Sequence, residues 1–240
     1  GDATMGWREG LAFKFSARVG AGALWLRPTD RVWINRPHPD GMGGCAVWTF
    51  WYGYNSGIYD PAAMAEGRPT AYTERRLVWL LDWARRHYQT DPQREYCSGA
   101  SMGGAGTIHF GLRHPEHFAA LFAQVPVTSY TDLGRFNSAL GRLAGLCASG
   151  PITRDLKDSE GEVFLDRMNG TRFVETATGD LPFLFIRNGR QDGSIPWENN
   201  PPFYRALQAA RQGFAIYWDN NGHANCAADA PEDVKAWRDR

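Results

Sequence analysis

The sequence predicts an α/β protein in which helices flank a mostly parallel sheet. Short apolar runs, of the kind that form buried parallel strands, alternate with segments whose apolar residues recur at helical spacing. A strand-like segment at 95–98 leads into the sequence G-A-S-M-G at 99–103 and then into a glycine-rich helix start. Two further runs, at 181–187 and 214–218, are separated by one helix-length segment, which is what a crossover between parallel strands needs.

The N-terminal part of the chain gives a coarser order of elements. A helix is predicted over 4–17 and a strand over 21–26, followed by a Gly/Pro-rich loop at about 35–44 and an aromatic run at 47–54. The clearest helix covers 72–88, because its apolar residues fall on one face. That face consists of Leu77, Leu80, Leu81, Ala84 and Tyr88.

The middle of the chain continues the alternation and then interrupts it. The helix after Ser101 is expected to end before Pro115, and residues 118–125 suit the next buried strand. Residues 131–180 are polar, rich in Gly and Thr, and helical in places. We predict that they form a lid or cap inserted into a single catalytic domain that spans 1–240.

Composition agrees with one globular domain and excludes several partners. The 240 residues can bury a sizeable core. The 26 basic and 26 acidic residues give a formal net charge of zero, so nothing favours nucleic acid or an anionic membrane. No run approaches the roughly 20 apolar residues of a membrane helix. No signal peptide is visible, which does not decide the compartment of a processed chain, and an extracellular or periplasmic location is favoured.

Ser101 is the predicted nucleophile. A serine hydroxyl reacts poorly unless it is held exposed and beside a base. A tight turn from strand to helix holds it so, at the top of a parallel sheet, and the flanking glycines let the helix pass close to the strand. The alternative is an ordinary surface serine in a glycine-rich turn, but the strand before it and the helix after it favour the nucleophile.

Asp192 is the predicted acid. It follows the apolar run 181–187 in the sequence N-G-R-Q-D-G, where a carboxylate can accept a hydrogen bond from an imidazole. Asp180 precedes that run and should lie at the wrong end of the sheet, while Asp219 is expected to cap a loop. Glu198, on the same loop as Asp192, is the best substitute.

His223 is the predicted base. It follows a glycine in the loop after the run 214–218, and the order serine, aspartate, histidine along the chain is the one this geometry expects. The other five histidines have no such context and are expected to face solvent or to pack locally. They are His38, His87, His109, His114 and His117.

These motifs resemble those of the α/β-hydrolase superfamily, and within it the group of polyhydroxybutyrate depolymerases, feruloyl esterases and esterase D. The resemblance rests on C-S-G-A-S-M-G-G at 97–104, N-G-R-Q-D-G-S-I-P-W at 188–197 and N-N-G-H at 220–223, and it covers roughly 20–225. It implies a serine esterase that works through an acyl-enzyme, with the backbone N–H of Met102 as one oxyanion donor.

The resemblance also implies parts that the sequence does not show. Family members carry about three strands before the first helix and an H-G loop that supplies the second oxyanion donor. We therefore expect the chain to lack its first strands, which a separate N-terminal segment would complete. That loop, or a tyrosine hydroxyl from residues 51–54, is the candidate second donor.

Aromatic residues suggest the substrate class. They form 13% of the chain, with ten tryptophans, and many lie outside the predicted core strands. Flat aromatic faces suit sugar rings, aromatic acyl groups or polyester chains, although a tryptophan-rich core is the plainer alternative. The predicted substrate-binding residues are Trp51, Tyr52, Tyr54 and Trp197. Nothing indicates a metal or an organic cofactor.

Three functions stay open on the sequence. The first is hydrolysis of a polymer-derived, aromatic or carbohydrate-linked ester, with a small-molecule or polymeric ester as partner. The second is a serine peptidase similar to the prolyl-oligopeptidase catalytic domain, which would normally bring a propeller domain. The third is a catalytically silent module of the same fold that binds a ligand through its aromatic face.

The four cysteines fit no zinc motif. Cys97 lies in the predicted strand before the nucleophile, where a buried free thiol is expected. Cys226 follows His223 by three residues, so a disulfide from it to Cys147 or Cys45 would brace the histidine loop.

Overall fold

The computed structural model describes residues 15–33, 46–60, 62–131, 155–223 and 231–232. The described strands are β1 (Phe15–Gly20), β2 (Ala23–Pro28), β3 (Val32–Trp33), β4 (Ala46–Val47), β5 (Tyr54–Asn55), β6 (Pro69–Thr70), β7 (Tyr96–Ala100), β8 (Ala120–Gln124), β9 (Phe183–Gly189) and β10 (Phe214–Asp219). The described α-helices are α1 (Tyr72–Tyr88), α2 (Met102–Arg113), α3 (Phe164–Arg167), α4 (Gly170–Thr176) and α5 (Asn200–Ala209).

The chain forms two compact units. The first comprises Gly1–Pro92 with Ala139–Phe164, and the second comprises Gln93–Ser138 with Leu165–Arg240. The predicted nucleophile, acid and base all belong to the second unit.

The second unit is built on a four-stranded parallel sheet in the order β10-β9-β8-β7. Helix α2 covers one face, where Gly111 lies against the side chain of Leu121; α4 packs against α2, and α5 packs against α4. On the two central strands, β8 and β9, the residues of this face are fully buried, and burial of a large aliphatic side chain contributes roughly 1.5–3 kcal/mol. They include Leu121, Leu184 and Ile186. This core fixes the carboxyl ends of β7, β9 and β10 at one edge of the sheet. The segments that carry Ser101, Asp192 and His223 follow these three strands at that edge.

The first unit holds antiparallel pairs and the long helix. Strands β1 and β2 form a hairpin through Ala21 and Gly22, whose φ angles of 50° and 73° are those of a two-residue turn with both central residues left-handed. The two-residue strands pair as β3 with β4 and β5 with β6. Helix α1 buries Leu77, Leu80 and Ala84.

The structure confirms the predicted fold class and most elements around the site. Helix α1 has the predicted bounds, and β7, α2, β8, β9 and β10 begin and end within a few residues of expectation. The N-terminal helix prediction is wrong where it can be compared. Residues 15–17 of the predicted helix 4–17 lie in β1, because Phe15, Ala17 and Val19 alternate with polar residues at strand spacing. The rest of that prediction lies outside the described residues.

The strand predicted over 21–26 is shifted, because the turn takes up its first two residues and β2 runs from Ala23 to Pro28. Of the predicted insertion 131–180, residues 132–154 lie outside the described part, and the remainder contains α3 and α4. The lid, the single domain and the missing first strands stay predictions. Among the described helices, none combines the length and the apolar character needed to span a bilayer.

Candidate active site

Ser101 occupies a sharp turn between β7 and α2. Its φ of 55° and ψ of −118° place a non-glycine residue in a conformation that costs about 1–3 kcal/mol, the strain typical of a nucleophile held at the top of a sheet. Its backbone N–H donates to the carbonyl of Gln124 at 2.9 Å. A Cβ at Gly99 would strike the backbone of Gly103, and one at Gly104 would lie 2.6 Å from the Gln124 carbonyl oxygen. Only glycine at both positions lets the helix turn back so closely against the sheet.

The structure brings the three predicted side chains into one hydrogen-bonded chain. His223 Nε2 lies 2.6 Å from Ser101 Oγ, and His223 Nδ1 lies 2.7 Å from Asp192 Oδ2. Since an ionised carboxylate can only accept, Nδ1 donates to Asp192 and Nε2 is left to accept the serine hydroxyl. This is the tautomer that a general base for Ser101 requires.

Asp192 is fixed and kept ionised by its surroundings. Its Oδ1 accepts the backbone N–H groups of Ser194 at 2.8 Å and of Ile195 at 2.9 Å. Burial works to raise the pKa of Asp192, but the hydrogen bond from His223 and the two from the backbone outweigh it, so the pKa lies below its ordinary value. The carboxylate is therefore charged over the neutral range and available to stabilise an imidazolium.

The loops after β9 and β10 are tied to each other, which sets the distance between acid and base. The backbone N–H of Arg190 donates to the Asp219 carbonyl at 2.8 Å, and that of Gln191 to the Asn221 carbonyl at 3.1 Å. A Cβ at Gly189 would collide with the Asn221 carbonyl, so the two loops approach as closely as glycine allows.

An ion pair that the sequence reading missed lies under these loops. Arg187 in β9 donates to Asp219 at the end of β10, with Nη2 to Oδ2 at 3.0 Å, and the two side chains are 0% and 5% exposed. The sequence contained a signal for this ion pair, because an arginine at the end of the apolar run 181–187 needs a buried anionic partner. Asp219 thus holds the two strands together, and its Oδ1 also accepts the backbone N–H of Asn221 at 2.9 Å, which caps the loop after β10 as predicted.

The remaining rival acids and bases are placed elsewhere. Asp180 and Glu198 are exposed, and His87 is exposed on α1. His109 is 2% exposed, and its Nε2 donates to the Val127 carbonyl at 3.1 Å. His114 lies just beyond the opposite end of α2 from Ser101.

Met102, the predicted oxyanion donor, is the first residue of α2 and directly follows Ser101. Trp197, predicted to bind substrate, begins a 3₁₀ helix five residues after Asp192. Its ring packs against Tyr204 and Trp218, with centroids at 6.3 and 6.0 Å. The roles of Met102 and Trp197 stay predictions.

The other predicted substrate-binding residues belong to the first unit. Tyr54 is half-buried and packs against Tyr72 at 4.7 Å, and Trp51 is also half-buried. Tyr52 is 1% exposed, and its hydroxyl donates to Asp158 Oδ2 at 2.8 Å. This arrangement favours a structural role for Tyr52 over a contact with substrate or an oxyanion.

Comparison with known proteins gives the family. A model of the Esterase family ("Putative esterase") matches residues 46–240, which include the whole triad and most of the chain. The chain belongs to the esterase family. No curated protein matches this esterase in sequence.

Solved structures share the fold of this esterase. An S-formylglutathione hydrolase from Agrobacterium tumefaciens superposes with a TM-score of 0.58 at 18% identity, over 85% of this chain and 67% of that one. Dipeptidyl peptidase 4 from Porphyromonas gingivalis gives 0.52 at 17% identity, over 69% of this chain and 21% of that one. Acylaminoacyl peptidase from Pyrococcus horikoshii gives 0.53 at 14% identity, over 72% and 27%.

The chain thus spans only about a fifth to a quarter of the two peptidases that it resembles. At these identities the likeness shows a shared fold. Together with the family match it confirms the predicted resemblance to α/β-hydrolase esterases.

Proposed function

We propose that this chain is a serine hydrolase that cleaves carboxylic esters through an acyl-enzyme. The observation that carries the proposal is the continuous hydrogen-bonded chain from Ser101 through His223 to Asp192. Family membership supports the ester as the bond that is cleaved. An extracellular or periplasmic location stays a prediction.

The mechanism follows from where charge develops. Ser101 Oγ attacks the ester carbonyl carbon while His223 Nε2 takes the hydroxyl proton, and Asp192 stabilises the imidazolium that forms. His223 then gives the proton to the leaving alcohol as the carbon–oxygen bond breaks. Water, deprotonated by His223, then attacks the acyl carbon; the bond to Ser101 Oγ breaks, His223 returns the proton to Oγ, and the acid is released. The side chain of His223 is 29% exposed, so water can reach it.

The tetrahedral oxyanion needs donors that are already in place. The backbone N–H of Met102, at the start of α2, is the proposed first donor, and a donor of this kind lowers the barrier by about 3–4 kcal/mol. The positive end of the α2 dipole favours negative charge at the same place.

The proposed substrate carries a flat aromatic or sugar ring, or comes from a polyester. Trp197 and Trp218 form an aromatic pair beside the loops of the acid and base, and Trp218 is 52% exposed. The guanidinium of Arg190 lies 5.9 Å from the centre of the Trp197 ring, which adds a cation at the edge of the pair. A ring of the substrate can stack on such a surface.

The test is the Ser101→Ala variant assayed on short p-nitrophenyl esters and with a fluorophosphonate probe. We expect the wild-type chain to turn over the esters and to be labelled, and the variant to lose both while keeping the wild-type circular dichroism spectrum. Ser98→Ala, an exposed serine of β7 in the same segment, is the matched control and should keep both.

Three results would contradict the proposal: turnover retained by Ser101→Ala, no labelling of the wild-type chain, or cleavage of peptides in preference to esters in a panel of both. Absence of labelling would favour a silent binding module. A preference for peptides would favour the peptidase alternative.

A further inference from the structure

A second cluster of chemically active side chains lies at the far end of α2. His114, Glu116 and His117 follow the helix in the sequence H-P-E-H, and one ligand atom from each lies within 4.8 Å of the other two. Helix α2 is 12 residues long, so the cluster is about 18 Å from the helix start at the nucleophile. It takes no part in the mechanism proposed above.

We propose that His114, Glu116 and His117 form a binding site for a divalent transition-metal ion, best suited to Zn²⁺. Two imidazole nitrogens and one carboxylate are the donor set that zinc accepts, whereas Mg²⁺ and Ca²⁺ prefer oxygen donors throughout.

The spacing of the donors fits an ion between them. His114 Nδ1 lies 3.6 Å and His117 Nε2 lies 3.5 Å from the same oxygen, Glu116 Oε1. Two donors that bind one zinc ion at about 2.05 Å in tetrahedral geometry are about 3.3 Å apart. Each gap therefore exceeds the zinc value by only a few tenths of an ångström. Both gaps also exceed the length of a good hydrogen bond between nitrogen and oxygen.

The backbone that carries the donors is held in one conformation. Pro115 begins a 3₁₀ helix over Pro115–His117, and its ring fixes φ. The N–H of His117 donates to the His114 carbonyl at 3.1 Å, and the N–H of Phe118 to the Pro115 carbonyl at 3.3 Å. The backbone of the site thus loses little conformational entropy when a metal ion binds.

The two imidazole rings are also held in place by packing. The His114 ring lies 4.8 Å from Phe110, the His117 ring lies 6.1 Å from Phe118, and the two phenylalanines contact each other at 5.7 Å. The His117 side chain is 8% exposed, while Glu116 is 63% exposed. Solvent therefore reaches the site from the Glu116 side, where an ion can enter and water can complete the coordination.

The experiment measures Zn²⁺ binding to the full chain by isothermal titration calorimetry, with the retained metal counted after desalting. We use His223→Ala as the common background, so that zinc bound at the triad is not counted. In that background we expect one Zn²⁺ per chain. Glu116→Gln and His114→Gln should each weaken binding by more than roughly tenfold, because losing even a partner of a ligand costs 10–100-fold.

His87→Gln and Glu66→Gln are the matched controls, since both residues are exposed and lie outside the cluster. They should leave the dissociation constant unchanged within about twofold. The proposal is overturned if the background chain retains no zinc, or if Glu116→Gln and His114→Gln bind it as tightly as the controls do. Because ester hydrolysis is not the readout, this result is independent of the proposed function.

Discussion

At the scale of single residues, two histidines in the second unit have opposite environments that suit different tasks. His223 is partly exposed, and its Nδ1 donates to Asp192 while its Nε2 accepts the hydroxyl of Ser101. His109 is buried, with Nε2 donating to the carbonyl of Val127. Burial, reinforced by the positive charge of Arg113, lowers the pKa of His109 to about 3. His109 therefore stays neutral in the folded chain at every pH at which an esterase normally works.

This burial predicts acid sensitivity. The pKa of His109 is about 3 when folded and about 6.5 when unfolded, so protons bind preferentially to the unfolded chain. The stability that neutral His109 provides is complete above pH 6.5 and is lost as the pH falls toward 3. When the pH is lowered from 7 to 5, the free energy of unfolding of the wild-type chain should therefore fall by up to about 2 kcal/mol because of His109.

Urea unfolding at the two pH values measures this loss. His109→Gln, which can still donate to Val127, should lose less stability over the interval than the wild type. His87→Gln, at an exposed histidine, should lose as much as the wild type. Equal losses in the wild type and in His109→Gln would show that His109 is not the responsible group.

At the scale of elements, one side chain makes several of the hydrogen bonds that hold the segment after β8. Asn199 lies in the 3₁₀ helix before α5. Its Oδ1 accepts hydrogen bonds from the backbone N–H of Thr128 at 2.8 Å and from the hydroxyl of Thr128 at 2.9 Å. It also donates from Nδ2 to the carbonyl of Ser129 at 2.9 Å. Thr128 is 0% exposed, so water cannot replace these contacts without a local opening.

Truncation of this side chain should therefore destabilise the second unit. Asn199→Ala leaves the buried N–H of Thr128 without its acceptor, which costs about 1–3 kcal/mol. Chemical denaturation measures the loss. Gln208→Ala, at an exposed position of α5, is the control and should change stability by less than about 0.5 kcal/mol. If Asn199→Ala lost no more stability than the control, the Asn199 side chain would not be stabilising the segment after β8.

The elements also show what the sequence could predict. Helix α1 was predictable because its leucines repeat at helical spacing, and the triad because each member follows a predicted strand that ends at one edge of a parallel sheet. Local pattern does not reveal pairing between distant segments. Thus the bond from Tyr52 to Asp158, 106 residues away, was missed, and Tyr52 was predicted to bind substrate.

At the scale of the whole molecule, the balance of charge governs behaviour in solution. The 26 acidic and 26 basic residues cancel, and the isoelectric point of the sequence is about 7.2. A chain without net charge lacks the repulsion that keeps copies apart. Large apolar side chains are also exposed on several elements, including Val19, Trp25 and Trp79.

We therefore expect self-association to be strongest near pH 7 and to decrease on either side. Light scattering at constant protein concentration and low salt, between pH 5.5 and pH 9, measures this. Scattering that changes in one direction only across the interval would show that charge balance does not govern the association.

The distance along the chain between Ser101 and His223 has a consequence for synthesis. Ser101 leaves the ribosome 122 residues before His223, the base of the proposed mechanism. At about 5–20 residues per second, the nascent polypeptide carries an inert hydroxyl for roughly 6–25 s. Under the proposed mechanism, products that end before residue 223 lack the base and are expected to be inactive.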